Sequence, residues 1–142
     1  MRIEELQNDI KSILEADGHL AAACSIVCSD ALDVVNAIEQ ALAKSSGILV
    51  LVNAPEIERD GCAQGEIPCR ASVTVDAIEM PAMRHLRDRA NAICTAMDAA
   101  QRVAIMLDGP RYNFVAVRPT VDAANATLTA RATFNTYWSL KV

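Results

Sequence analysis

Aromatic side chains are scarce: two Phe, two Tyr and one Trp make up 4% of 142 residues, too few for the stacking platforms that hold single-stranded nucleic acid. Positive charge is short as well. Thirteen Lys and Arg stand against eighteen Asp and Glu, a net charge of −5 and a pI near 4.9, which argues against a specific nucleic-acid partner bound by counterion release. The longest run of branched aliphatic residues, Ile48-Leu-Val-Leu-Val52, falls far below the roughly 20 residues of a membrane-crossing helix. Carboxylates occupy Met1-Arg2-Ile3-Glu4-Glu5, where an export signal needs cations, so no membrane partner and a cytoplasmic site of synthesis are expected.

Histidine is limited to His19 and His85. No Gly-x-Ser-x-Gly is present, and neither histidine falls in a recognisable triad segment. Lys44-Ser45-Ser46-Gly47 lacks the glycine spacing of a phosphate loop, and Gly61-Cys-Ala-Gln-Gly65 has no helix behind it to complete a dinucleotide site. Five cysteines, Cys24, Cys28, Cys62, Cys69 and Cys94, form an odd set that reads as reduced thiols. Cys24 and Cys28 are four apart, but the other pair is separated by six residues rather than the two to four of structural zinc sites, so no metal is expected. Glu56-x-Glu58-x-Asp60-Gly61 echoes a calcium loop only in part and lacks its closing glutamate.

What is present is the patterning of a single domain over 1–142, 52% apolar with mean hydropathy +0.18. Ile3, Leu6, Ile10, Ile13 and Leu14 recur at helical spacing, with charged residues between them, and predict an amphipathic helix over 3–15 ended by Gly18. Residues 19–28 read as a buried connector with a short strand. Ser29 and Asp30 supply capping oxygens for a second helix running to about Lys44. Ile48–Val52 predicts a central strand covered on both faces. Residues 53–68, with two Gly and two Pro, read as a long charged loop and the prime working surface. Val73, Val75 and Ala77 alternate with polar residues in a strand over 69–79. Met83, Leu86, Ala90, Ile93 and Met97 predict a third helix to about Gln101. A strand from Tyr112 to Arg118 is expected to stop before Pro119, and residues 126–140 alternate as one long final strand. The expected fold is α+β: a mostly antiparallel four-stranded sheet packed with about three helices in the order ααββαββ.

Charge is unevenly divided. Residues 1–70 hold five Lys and Arg against twelve Asp and Glu, and residues 71–142 hold eight against six. That asymmetry fits either head-to-tail steering of like copies or an ordinary solvated surface.

The order of segments, from Ile3-Glu4-Glu5-Leu6 through Val50-Leu-Val-Asn53-Ala-Pro55, Ala71-Ser-Val-Thr-Val75, the Arg84–Met97 stretch and Phe114-Val-Ala-Val117 to the final strand, resembles the tail-terminator, or tail-completion, minor tail proteins of long-tailed bacteriophages and prophages. The resemblance covers nearly the full length and rests on the order of elements rather than on one motif. It implies a structural, non-enzymatic protein without cofactor. Such a protein forms a ring, usually of six copies, that caps the tail tube and docks to the head connector. Its partners are then itself, tail-tube and head-connector proteins, and its location the host cytoplasm during assembly and the virion tail afterwards.

A ring of identical copies needs two different complementary patches. The acidic segment Glu56, Glu58, Arg59 and Asp60 facing Arg84, Arg87 and Arg89 of a neighbour is the candidate assembly interface. Reversal of the three arginines is expected to abolish assembly without unfolding the monomer. The alternatives are a small cytoplasmic ligand-binding domain or thiol enzyme using Cys62, Cys69 and His85, and a head–tail connector or neck component.

Overall fold

The computed structural model describes residues 3–29, 48–86 and 92–141. The helix expected over 31–44 lies outside these residues, as do Arg87 and Arg89. In chain order the described elements are α1 (Ile3–Glu15), α2 (Gly18–Ala23), β1 (Ser25–Cys28), β2 (Ile48–Val52), β3 (Glu56–Arg59), β4 (Glu66–Glu79), a 3-10 turn (Pro81–Leu86), α3 (Ala96–Leu107), β5 (Asn113–Asp122) and β6 (Thr127–Lys141). The α+β class is as expected, but the sheet has six strands rather than four.

Strand order is β1-β2-β4-β6-β5, with β3 also on β4. Only β1 and β2 run parallel; β2–β4, β3–β4, β4–β6 and β5–β6 are antiparallel. β4 and β6 pair without a break from Glu66↔Lys141 to Glu79↔Leu128 and form the spine. β2 occupies one end of the other side of β4, at Val75–Glu79, and β3 occupies the far end, at Cys69–Ser72.

The described helices pack on one face. From that side Leu6, Ile10, Leu14 and Leu20 pack with Ile48, Val50 and Val52 of β2, Val73 and Val75 of β4, and Ala130, Ala132 and Phe134 of β6. α3 adds Ala96, Ala99, Ala100 and Val103, and the same core holds equally small residues on the strands, Ala71, Ala77, Ala130 and Ala132. A small-on-small interface lets a helix lie close to a sheet, so the core fills with few aromatic rings. Phe134, fully buried, is an exception. It meets Phe114 edge to face, with centroids 5.8 Å apart and planes at 62°, a favoured ring geometry.

Three expectations are corrected. The continuous helix from Met83 to Gln101 is absent: the chain makes a 3-10 turn to Leu86, and the α-helix starts at Ala96. The start is fixed by a capping box, in which Asp98 N–H donates to Thr95 Oγ1 and Asp98 Oδ2 accepts from the Thr95 N–H, satisfying donors that the first turn leaves unpaired. Val103–Leu107 continue that helix. Second, residues 53–68 are not one loop. Glu56–Arg59 pair with Cys69–Ser72, and the turn between them uses Gly61 at φ 107° and Gly65 at φ 79°, backbone values that glycine adopts without a Cβ clash. Third, Pro119 does not end β5, which runs on to Asp122. Among the described residues β5 pairs on one side only, and an edge strand tolerates a residue without an N–H.

Polar ties fix the helices to one another and to the sheet. Asp17 caps α2 by accepting from Leu20 N–H and grips Arg102 of α3 through both carboxylate oxygens, at 2.9 and 2.7 Å. Asp9 of α1 accepts from Tyr112 Oη at 2.6 Å and Arg111 Nη1 at 2.8 Å. Gln7, buried on α1, donates to Val52 O at the end of β2 and to Ser29 Oγ after β1.

Phe134→Ala empties the best-buried ring site, so unfolding free energy measured by urea titration should fall by about 3–5 kcal/mol.

Candidate functional site

The face of the sheet away from the described helices carries the polar parity of β3, β4 and β6. β4 contributes Arg70, Ser72, Thr74 and Asp76, and β6 contributes Arg131, Thr133, Asn135 and Tyr137 in register with them. β3 places Glu56 opposite Ser72 and Glu58 opposite Arg70. Glu56, Glu58, Arg70, Ser72, Val115, Thr133 and Asn135 line a shallow polar hollow of about 340 Å³. The face is not uniformly open, since Leu49 of β2 is fully buried there.

Two ion pairs sit on this face. Arg70 Nη2 donates to Glu58 Oε2 at 2.9 Å, with both side chains well exposed, a pair that solvent screens to little net stabilisation. Arg131 holds Asp76 through two bonds, at 2.8 and 3.0 Å, and Asn53 Nδ2 donates to the same carboxylate at 3.0 Å. Asp76 is 5% exposed, so the bidentate fork supplies the partners that a buried charge requires.

The residues expected to form the assembly interface are thus distributed. Glu56, Glu58 and Asp60 are exposed on or just beyond β3, and Arg59 points its Nη1 toward the Cys62 thiol at 3.8 Å. Arg84 lies beyond the other end of β4, where its guanidinium donates to both oxygens of Glu79. Arg70, beside Glu58, and Glu79, beside Arg84, are nine residues apart on β4, about 30 Å at strand rise. The structure does not bring Arg84 to the acidic group within one chain. Glu79 is fully buried, so Arg84 serves the fold of its own chain, and reversing it would set a second carboxylate against Glu79. Reversal of Arg84 is therefore expected to cost the monomer stability of its own.

Sequence reasoning missed Arg70, Asp76 and Arg131. The signal available was parity: each falls on the polar phase of a strand already read as alternating. The thiol reading gains nothing from the geometry. Cys69 is 4% exposed, with Sγ 3.4 Å from Ile67 O of its own strand, whereas Cys62 is exposed in the turn. Among the described residues no group of three or more His, Cys, Asp and Glu could hold a metal ion, and no helix is long and apolar enough to cross a membrane.

Electrostatic perturbation is concentrated in the structural ties. The Arg102 hydrogen bonds outweigh burial and hold the Asp17 carboxyl below its ordinary value of 3.8. Burial works against ionisation of Asp9, but the bonds from Tyr112 and Arg111 overcome it and lower this carboxyl too. Burial and then the Asp9 acceptor push the Tyr112 phenol upward.

Both aspartates are lowered in the folded chain. Their stabilisation is therefore complete above the ordinary carboxylate range and is lost as pH falls through the lowered folded values. Urea midpoints followed from about pH 5 to pH 2 should drop in the wild-type chain, and Asp17→Asn should show a lower neutral plateau with a shallower acid decline. Arg84→Glu should lower the thermal midpoint read by circular dichroism, before any question of assembly arises.

No family model matches the chain, and no curated protein matches it in sequence. Its fold is similar to that of a chain in a solved virion structure, that of a native gene transfer agent (GTA) particle. The TM-score is 0.65, the identity is 14%, and the match covers 95% of each chain.

Proposed function

We propose that the chain is a structural virion-type protein of phage or prophage kind. In this reading identical copies form a ring, six in the resembling family, that caps a tail tube and docks to the head connector. The observation that carries this is the fold likeness over 95% of both chains to a component of a phage-like particle. It agrees with the independent resemblance in element order to tail terminators.

The sheet is suited to such a role. β1 and β3 lie on one side of the β4–β6 spine and β5 on the other, so one copy presents unlike edges. Unlike patches are what a head-to-tail ring requires, whereas a two-fold dimer uses one self-complementary patch. The acidic group Glu56, Glu58, Arg59 and Asp60 remains the candidate half of the interface on one side. On the other side Arg87 and Arg89 stay candidates, and Arg84 contributes at most its exposed flank. The role is non-enzymatic, with fit between copies in place of a reaction, and the protein works in the host cytoplasm during assembly and then in the virion tail. A neck or connector component has the same requirements and differs only in which proteins lie above and below it.

Size-exclusion chromatography with light scattering, followed by negative-stain electron microscopy, should show a closed annulus of defined mass with a central opening. A chain that stays monomeric at every accessible concentration, alone and with tail-tube protein added, would overturn the reading. Co-purification with tube protein rather than with portal-proximal proteins separates terminator from neck.

A further inference from the structure

The apolar layer between helices and sheet runs out to both ends of the strand path and is only half covered there. At one end Ile26 of β1 packs partly buried against the core, and at the other end Val117 of β5 and Leu128 of β6 do the same. Val121, paired with Leu128, is 70% exposed. Three of the four residues of β1 also stay partly exposed. Among the described residues β1 bonds only to β2, and β5 only to β6. An edge strand bearing exposed apolar side chains is a template for a further strand.

The registers set these two edges at one height. Followed across β2, β4 and β6, Ser25 is level with Thr120, Ile26 with Pro119, Val27 with Arg118 and Cys28 with Val117. Direction agrees as well. β1 runs parallel to β2, and β2, β4, β6 and β5 then alternate, so β1 and β5 point opposite ways. Rotation about an axis along the strands changes neither height nor direction. It therefore brings β5 of one copy antiparallel against β1 of the next, with no slide between them. Within one chain the two strands are four spacings apart, about 19 Å, so a second copy is needed to join them.

We propose that the β5 edge of one copy pairs with the β1 edge of the next, so that the sheet and its apolar layer continue across the joint. This rests on the reading that identical copies form a ring, and it names the strand edges that meet. Ile26 pairs with Val50 on the helix side, and Val117, Pro119 and Val121 pair on that same side with Ala132, Ala130 and Leu128. The joint turns these half-covered residues into one apolar row. On the opposite side Thr120 meets Ser25, and the stem of Arg118 covers Val27 while its guanidinium stays in water. β1 is four residues long and Pro119 has no N–H, so the shared ladder is short and apolar contact carries the joint. Charge favours the unlike pairing: β1 comes from the half of the chain with an excess of carboxylates, and β5 from the half with an excess of Lys and Arg.

The test is a cross-link between level positions. Facing residues of an antiparallel pair have Cα atoms within about 5.5 Å, inside the limit for a disulfide. Thr120→Cys and Ser25→Cys are combined in one chain with the exposed Cys62→Ser, and wild-type fold is checked by circular dichroism. Mild oxidation should give a ladder of covalent oligomers on a non-reducing gel. Thr120→Cys combined with Glu58→Cys should give none, because Glu58 is level with Arg70 and Tyr137, far along the strands from Thr120. Separately, Val121→Glu puts a carboxylate into the apolar row and should weaken association in light scattering about tenfold or more. Equal cross-linking by both cysteine pairs, cross-linking by neither while light scattering shows assembly, or a Val121→Glu chain that assembles like wild type would each overturn the edge assignment and leave the ring standing. A wild-type chain that never associates would overturn both.

Discussion

The unbroken antiparallel register between β4 and β6 is the constraint on which the other features hang. Because side chains alternate with a period of two, that register decides at once which residues face the helices and which face away. Ala71, Val73, Val75 and Ala77 share the helix side with Ala130, Ala132 and Phe134, and the opposite phase brings Asp76 to Arg131 and Arg70 to Tyr137. A slip of one residue on β6 would place Arg131 and Asn135 against α3 and Phe134 in water. The core and the polar face are therefore one decision.

Buried charge follows the same logic. Each carboxylate carried inward has an arginine whose long apolar stem reaches it from a more exposed base: Arg102 for Asp17, Arg84 for Glu79, Arg131 for Asp76. Part of the acidic excess in the first half of the chain is absorbed in this way, since Asp9 and Asp17 are answered by Arg111 and Arg102 from the second half. The charge asymmetry of the sequence thus stitches early helices to late elements.

Periodicity made α1, β2 and the alternation of β4 and β6 legible, because each is long or strongly patterned and buries one defined side. It failed between residues 83 and 101, where apolar spacing of three and four ran across a helix start; the Thr95-x-x-Asp98 capping pair was the better guide and was overlooked. It also missed β3, since Gly and Pro around Glu56–Arg59 imitate a loop while Ile57 still turns toward the core. Of the candidate interface, the exposure of Glu56, Glu58 and Asp60 could be read from composition. The engagement of Arg84 by Glu79 could not, because a glutamate that ends an alternating strand looks identical in sequence whether it is solvated or enclosed.

Pro119 has an effect beyond its own strand. It leaves a gap in the row of amide donors midway along β5, so a flat, fully hydrogen-bonded strand from an arbitrary polypeptide cannot zip along the whole length. Short or irregular partners are accepted more readily than long regular ones, a bias against fibrillar stacking built into the β5 edge.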